Sequence, residues 1–168
     1  TIRYKMKMYA LLCAVTASVL KLQYILSLHA IPSGVRQLMT QAPLRLLMFN
    51  LMTDVNDPVL GFTTAWIQEL AKHCVCIDVI TMYQGELDLP EHVRVFSAGR
   101  EKGLSKPRRI LNFYRHLVHL ISTNHYDVCF AHMMPLFAGL GGPLLKLRGI
   151  DTVLWYTHRQ KSSQLKLG

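Results

Sequence analysis

From about Leu44 onward, apolar positions along the chain occur in two kinds of segment. Short apolar or β-branched runs are typical of strands buried on both faces of a parallel sheet. Longer segments between them have the spacing of helices. The predicted strands are 44–51, 76–82, 93–97, 126–131 and 152–156. The predicted helices are 61–73, 107–123 and 135–148. Because this alternation needs crossover connections, it predicts an α/β fold, a Rossmann-like parallel sheet with helices on both faces.

Two of these helices carry an apolar stripe that we expect to form their buried face. Pro107 stands in the first turn of the second helix, where proline is favoured. The stripe of the first helix comprises Phe62, Ala65, Trp66, Leu70 and His73. The stripe of the second comprises Ile110, Leu111, Tyr114, Leu117, Val118 and Ile121.

Residues 1–43 differ in composition from the remainder. An uncharged run, Met8–Leu20, follows Arg3, Lys5 and Lys7, and is shorter than the roughly 20 residues that cross a bilayer. We predict an apolar N-terminal helix, followed by a linker to about residue 43. A membrane-surface anchor, a signal-peptide-like segment, an extension without a native role and a helix packed on the domain all stay open. The organisation is therefore residues 1–43 as extension and linker, and 44–168 as one α/β domain.

The net charge of +9 divides unevenly between these segments. Residues 1–43 carry five Lys/Arg and no acid, whereas residues 44–168 carry fourteen Lys/Arg and ten Asp/Glu. The 51% hydrophobic content is enough for a core and excludes a disordered chain. The folded domain is thus only mildly basic.

Several cofactor motifs are missing from the sequence. The first strand is not followed by G-x-G-x-x-G, and there is no P-loop and no H-E-x-x-H. The pair Cys74 and Cys76 lacks a second pair for a zinc site, and packing explains it better. Gly139–Pro143 lies in a helix, where close helix–sheet packing is favoured over phosphate binding. We therefore expect no metal and no bound cofactor, and a self-contained NAD enzyme or nucleotide triphosphatase is disfavoured.

The predicted topology indicates where a ligand would bind. In parallel sheets ligands lie beyond the carboxyl ends of the strands, where the strand order reverses. The relevant loops are 52–60, 132–135 and 157–160, and their polar residues are Asp54, Asn56, Asp57, His132 and His158. A histidine there can bind a sugar hydroxyl or a phosphate oxygen. Taken singly, His132 or His158 is equally well explained as a satisfied structural histidine.

Arg100–Arg109 is the most basic stretch of the domain, with five Lys/Arg and one acid. Gly103, Ser105 and Pro107 predict a loop. It is either a solvated loop or an anion contact, with Lys102, Arg108 and Arg109 facing a lipid phosphate or a phosphorylated acceptor. Nucleic acid is disfavoured as a partner because aromatic residues are not interleaved with the charges.

From about Leu44 to its end, the chain resembles the N-terminal half of glycosyltransferase family 4 enzymes. The segments that carry the resemblance are LRLLMFN, DPVLGFTTAWIQELAKHCVCIDVITM, ILNFYRHL, YDVCFAHMMPLFAGLGG and TVLWYTHRQ. The resemblance implies one half of a GT-B fold, in which two Rossmann-like domains enclose the active site. It also implies a retaining transfer of sugar from a nucleotide-sugar donor to a sugar or lipid-linked acceptor, with this half holding the acceptor.

The resemblance assigns roles to particular residues. The loop with Asn56 and Asp57–Gly61 would present backbone amides to the donor phosphate and the acceptor, although Leu60 replaces a usual glycine. His132 would contact the transferred sugar as the catalytic residue, and His158 would lie near the acceptor. Arg159 replaces the usual acid and would favour an anionic acceptor.

The donor-binding half that the family has is not in this chain, so we expect the chain alone to be inactive, as a fragment of a hexosyltransferase-like enzyme would be. The alternative is a membrane-associated, non-catalytic subunit that partners a donor-binding chain. A nucleotide-binding regulatory domain is a third hypothesis. We expect a cytoplasmic location, with association at the cytoplasmic face of a membrane as an option.

Overall fold

The computed structural model describes residues 44–156, which form one parallel sheet with flanking helices. The strands are β1 Leu44–Thr53, β2 Cys74–Gln84, β3 Val93–Ser97, β4 Val128–His132 and β5 Asp151–Trp155. The helices are α1 Phe62–Ala71, α2 Lys106–Thr123 and α3 Pro135–Leu147. All five strands are parallel, in the order β3-β2-β1-β4-β5. The predicted parallel α/β sheet is confirmed.

Some predictions concern segments outside the described residues. These are the N-terminal helix, the linker, Cys13, His158 and Arg159. Within the described range, β1 and β2 extend further than predicted, to Thr53 and Gln84. The predicted helix 107–123 is α2, which begins one residue earlier, at Lys106. The loop predicted for Arg100–Arg109 therefore ends at Ser105, and its last four residues belong to α2. Pro107 fits this first helical turn since its missing N–H would have no partner there.

The strand order reverses between β1 and β4, which makes their carboxyl ends the switch point of the sheet. Phe49 of β1 packs on aromatic rings of α2 and α3, while the next residue, Asn50, bonds to α1. Successive side chains of a strand point to opposite faces. The sheet is therefore covered by α1 on one face and by α2 and α3 on the other.

The face under α2 and α3 holds a closely packed aromatic core. The rings of Phe113 and Phe137 stack with centroids 4.1 Å apart, and Phe49 meets Phe113 edge-on at 5.3 Å. Gly141 lies against them: an added Cβ would approach Phe49 at 3.1 Å and Leu117 at 3.2 Å. The predicted packing role is confirmed for Gly141.

The structure corrects both predicted stripes in part: Leu70, Leu117 and Ile121 are buried as expected, but other members are not. Leu111 and Val118 of α2 are 68% and 51% exposed, and the residues that α2 buries are Phe113, Leu117, Leu120 and Ile121. In α1 Phe62 is exposed and Trp66 is half-buried. The residues that α1 buries are Thr63, Thr64, Ile67, Leu70 and Ala71. Apolarity alone does not predict which side of each helix is buried, because threonines of α1 are buried against the sheet while several large apolar side chains are exposed.

One charged group is fully buried in the face under α2. The carboxylate of Asp78 accepts hydrogen bonds from Nε and Nη2 of Arg94, at 2.6 and 2.7 Å, and from the hydroxyl of Tyr126. Burial, followed by the bond to Asp78, raises the pKa of Tyr126. Cys74 and Cys129 fit the predicted packing role, since burial raises the pKa of Cys74 to about 11 and that of Cys129 as well. These thiols stay protonated and unreactive at neutral pH.

Candidate functional site

Asn50 is a polar residue near the end of the apolar strand β1, at the switch point. Its Nδ2 lies 2.6 Å from the carbonyl oxygen of Met52, 3.0 Å from Oγ1 of Thr53 and 3.3 Å from Oγ1 of Thr63. The Thr63 hydroxyl in turn donates to the Met52 carbonyl at 2.9 Å. Asn50, Thr53 and Thr63 are all fully buried. This buried polar network ties the carboxyl end of β1 to α1.

His132 joins that network from the neighbouring strand. It is the register partner of Asn50 and is 1% exposed, and its Nδ1 lies 3.1 Å from Oδ1 of Asn50. Because Nδ2 of Asn50 is the donor to Met52, Oδ1 is the acceptor, which assigns the ring proton to Nδ1. Burial lowers the pKa of His132 to about 4. At neutral pH the ring is therefore uncharged, with the lone pair on Nε2.

Aromatic rings surround the imidazole. The centroid of Trp66 lies 5.2 Å from that of His132 and 5.0 Å from that of Phe62, and Phe62 to His132 is 6.1 Å. All three pairs meet edge-on, the geometry that aromatic pairs prefer. Phe62 is 36% exposed. We call Phe62, Trp66 and His132 the aromatic cluster: an apolar wall with one polar acceptor, the composition typical of small-molecule sites.

The backbone immediately after His132 adopts an uncommon conformation. Met133 has φ of 54°, in the left-handed region that non-glycine residues rarely enter. Its N–H donates to the carbonyl of Trp155 in β5 at 2.8 Å, which fixes the turn. Such strain persists only where the surrounding structure enforces it, and it concentrates at functional sites. The end of β4 is thus held rigidly between β1 and β5.

The predicted loop with Asp57 and Gly61 precedes α1. Oδ1 of Asp57 accepts from the backbone N–H of Val59 at 2.9 Å and of Leu60 at 2.6 Å, and Gly61 N–H donates to the Asp57 carbonyl at 2.9 Å. A Cβ on Gly61 would lie 2.5 Å from that same carbonyl oxygen. The amides that the resemblance directs toward a phosphate are therefore bonded within the loop, and the glycine is required by the loop's own backbone.

Asn56 lies in the same loop and links it to the end of β2. Its N–H donates to Oδ1 of Asp54 at 3.0 Å, and its Nδ2 donates to Oε2 of Glu86 at 2.7 Å. Gly85 allows this close approach, since a Cβ there would lie 2.2 Å from the Asp54 side chain. Asn56 thus anchors the loop, which continues directly into Phe62 of the aromatic cluster.

The three predicted anion contacts do not join His132. Lys102 and Arg108 are exposed, and Arg109 is half-buried with Nη1 3.6 Å from Sδ of Met82. Nε of Arg109 is buried without a hydrogen-bond partner among the described residues. Arg108 and Arg109 belong to α2, which covers the sheet face opposite to α1, and Lys102 lies in the loop before α2.

The sequence interpretation missed Asn50, Thr63, Phe62 and Trp66 as neighbours of His132. Asn50 carried a signal, because it is the polar residue that interrupts the apolar run LLMFNLM of residues 46–52. The pairing of Asn50 with His132 carried none, since their register depends on how β1 and β4 align across 82 residues.

Within residues 44–156, no three His, Cys, Asp or Glu side chains are grouped so that they could hold a metal ion. In the same range, no helix has both the length and the apolarity to cross a membrane. The chain matches none of the family models, curated proteins or solved structures with which it was compared.

Proposed function

We propose that this domain is the acceptor-side half of a retaining GT-B glycosyltransferase, which binds a sugar acceptor against the aromatic cluster. The donor would be a nucleotide-sugar, and a second, donor-binding half would complete the site. The observation that carries the proposal is the neutral, buried imidazole of His132 between aromatic rings at the switch point. The family resemblance of residues 44–168 supports the choice of a sugar over other small polar ligands.

The chemistry of a sugar matches this surface in two ways. A sugar ring has apolar C–H faces, which gain from contact with rings such as those of Phe62 and Trp66. Its hydroxyls are donors, and Nε2 of the Nδ1–H tautomer of His132 is an acceptor. Because the imidazole stays neutral, it orients a hydroxyl without placing a charge beside the reacting carbon. His132 is thus proposed to touch and orient the transferred sugar or the acceptor. Because the ring is 1% exposed, this contact requires the Phe62 or Trp66 ring to move aside.

The proposal assigns the remaining catalytic work elsewhere. In a retaining transfer, the leaving nucleotide diphosphate needs electrostatic stabilisation. The amides of Val59, Leu60 and Gly61 are already bonded within their loop, so that stabilisation would come from the donor-binding half. The chain alone is therefore expected to bind an acceptor weakly and to transfer nothing. The roles of His158 and Arg159 near the acceptor stay predictions.

Saturation-transfer NMR on the whole chain tests the proposal. With a panel of methyl glycosides, we expect saturation transfer to at least one saccharide, with a dissociation constant of roughly 1 mM, about 4 kcal/mol. His132→Ala should abolish it, provided that circular dichroism shows a folded variant. His119→Ala alters an exposed histidine of α2 and is the matched control, so it should leave binding unchanged.

Three results would contradict the proposal. The first is no saturation transfer to any saccharide of the panel. The second is unchanged binding by folded His132→Ala. The third is micromolar binding of uridine or guanosine diphosphate without saccharide binding, which would indicate the nucleotide-binding regulatory domain. Sugar transfer by the chain alone would refute only the requirement for a second half.

A further inference from the structure

The charges of the described domain are separated by element. All ten Asp and Glu of the chain lie in loops, in strands or in α1, and none lies in α2 or α3. Arg109 of α2 is half-buried, and the other five Lys/Arg of these two helices and the α3 cap are exposed. We call these five the cationic face, and they are Lys106, Arg108, Arg115, Lys146 and Arg148. The rest of residues 44–156 holds five Lys/Arg against the ten acids.

Large apolar side chains are exposed on the same two helices. Leu111 is 68% exposed and Val118 is 51% exposed, both on α2, and Leu147 near the end of α3 is 82% exposed. Exposed apolar side chains flanked by charges are characteristic of interaction surfaces. These residues therefore need a partner with both an anionic and an apolar layer.

The spacing along α2 interleaves the two kinds of residue. Arg108, Leu111, Arg115 and Val118 follow one another at intervals of three, four and three residues, so they form one outward stripe. The inward side of the same helix packs into the core through Phe113 and Leu117. Arginine can extend its charged head to a phosphate while its stem lies along apolar surface. The stripe thus presents cations and apolar side chains together on the outer side of α2.

We propose that the outer face of α2 and α3 docks on an anionic lipid surface. Lipid headgroups supply the negative charge that complements the cationic face, and the acyl boundary below them receives Leu111, Val118 and Leu147. A nucleic-acid backbone would pair with the cations only, and would leave Leu111, Val118 and Leu147 exposed. Docking on this face leaves α1 and His132, on the opposite face of the sheet, turned away from the lipid. The inference is therefore independent of the proposed sugar-binding function.

Vesicle flotation with the whole chain tests this inference. We expect binding to vesicles of phosphatidylcholine with 30 mol% phosphatidylglycerol, because each Lys or Arg near an anionic surface strengthens binding about fivefold. The double variant Arg108→Glu, Arg115→Glu should weaken binding at least about tenfold. Leu111→Ser, Val118→Ser should also weaken it, and this effect should persist in high salt. Lys72→Glu, an exposed charge reversal at the C-terminal cap of α1, is the matched control and should change binding less than about twofold.

Thermal unfolding followed by circular dichroism verifies that each variant is folded. If both double variants bind the anionic vesicles as strongly as the wild type does, the inference is overturned, because the attachment would then lie outside this face. Binding to pure phosphatidylcholine at equal strength would also overturn it. Tighter binding to a DNA or RNA duplex than to the anionic vesicles would also overturn it, if the duplex binding is lost in Arg108→Glu, Arg115→Glu and retained in Leu111→Ser, Val118→Ser.

Discussion

The two faces of the sheet differ in chemistry although the same strands supply both. On the face under α2 and α3, Phe49 meets Phe113 and Phe137 in an apolar, closely packed core. On the face under α1, the next residue, Asn50, holds a buried network with Thr63 and His132. Burying polar groups costs free energy unless each finds a partner, whereas aromatic packing adds stability directly. Both faces pair the polar groups that they bury, Asp78 with Arg94 and Tyr126 on the first face. The difference is that the face under α1 holds its polar network at the switch point of the sheet.

The largest expected effect concerns the apolar face. Phe113→Ala should lower the free energy of unfolding by about 3–5 kcal/mol, because it opens a cavity between Phe49 and Phe137. Urea denaturation followed by circular dichroism measures this change. Leu111→Ala, on the exposed side of the same helix, is the control and should cost less than about 1 kcal/mol. Similar losses in the two variants would contradict the described orientation of α2.

A pH dependence is expected from the polar face. The folded pKa of His132 is about 4, below the ordinary value of about 6.5 expected in the unfolded chain. Between these two pH values the unfolded chain binds a proton on this histidine and the folded chain does not. The free energy of unfolding is therefore constant above pH 6.5 and falls as the pH drops toward 4. From pH 7.5 to pH 5 this group alone should remove on the order of 2 kcal/mol.

The comparison that isolates His132 is the same pair of measurements on His132→Gln. Burial also lowers the pKa of His116, which adds a loss of the same sign to both proteins. The difference between wild type and variant therefore reports His132. Equal losses of stability between pH 7.5 and pH 5 in the two proteins would show that the ring is not held neutral.

A smaller difference in the free energy of unfolding is expected between variants of two neighbouring threonines of α1. Thr63→Val removes the hydroxyl that donates to Met52 and contacts Asn50, and should cost about 1 kcal/mol. Thr64 is also buried, but its Oγ1 has no hydrogen-bond partner among the described residues. Thr64→Val should therefore be neutral or stabilising. Differential scanning calorimetry of both variants tests the pair, and a larger loss for Thr64→Val would contradict the described network.

The fold was largely predictable, because strand and helix periods differ and proline and glycine mark several element ends. Val93–Ser97 was predicted with its observed bounds. The helix faces were not predictable from apolarity, since Leu111 and Val118 are as apolar as the leucines that the sheet covers. The sequence also could not reveal that Asp57 bonds the amides of its own loop.

The site was predictable only in part, for a similar reason. His132 was singled out because it follows a strand at the expected edge of the sheet. Its neutrality and its partner Asn50 depend on the register of β1 and β4 and on the packing of Trp66, which are long-range features. Local sequence reasoning finds such residues singly, and the fold brings them together.

Histidine NMR on the ¹⁵N-labelled chain, recorded as a pH titration with and without a binding methyl glycoside, tests the central claim most directly. For His132 we predict a neutral Nδ1–H tautomer at pH 7, a pKa of about 4 and a shift of the Nε2 resonance when the saccharide is added. A ring that titrates near 6.5, or an Nε2 resonance unmoved by every saccharide of the panel, would contradict it.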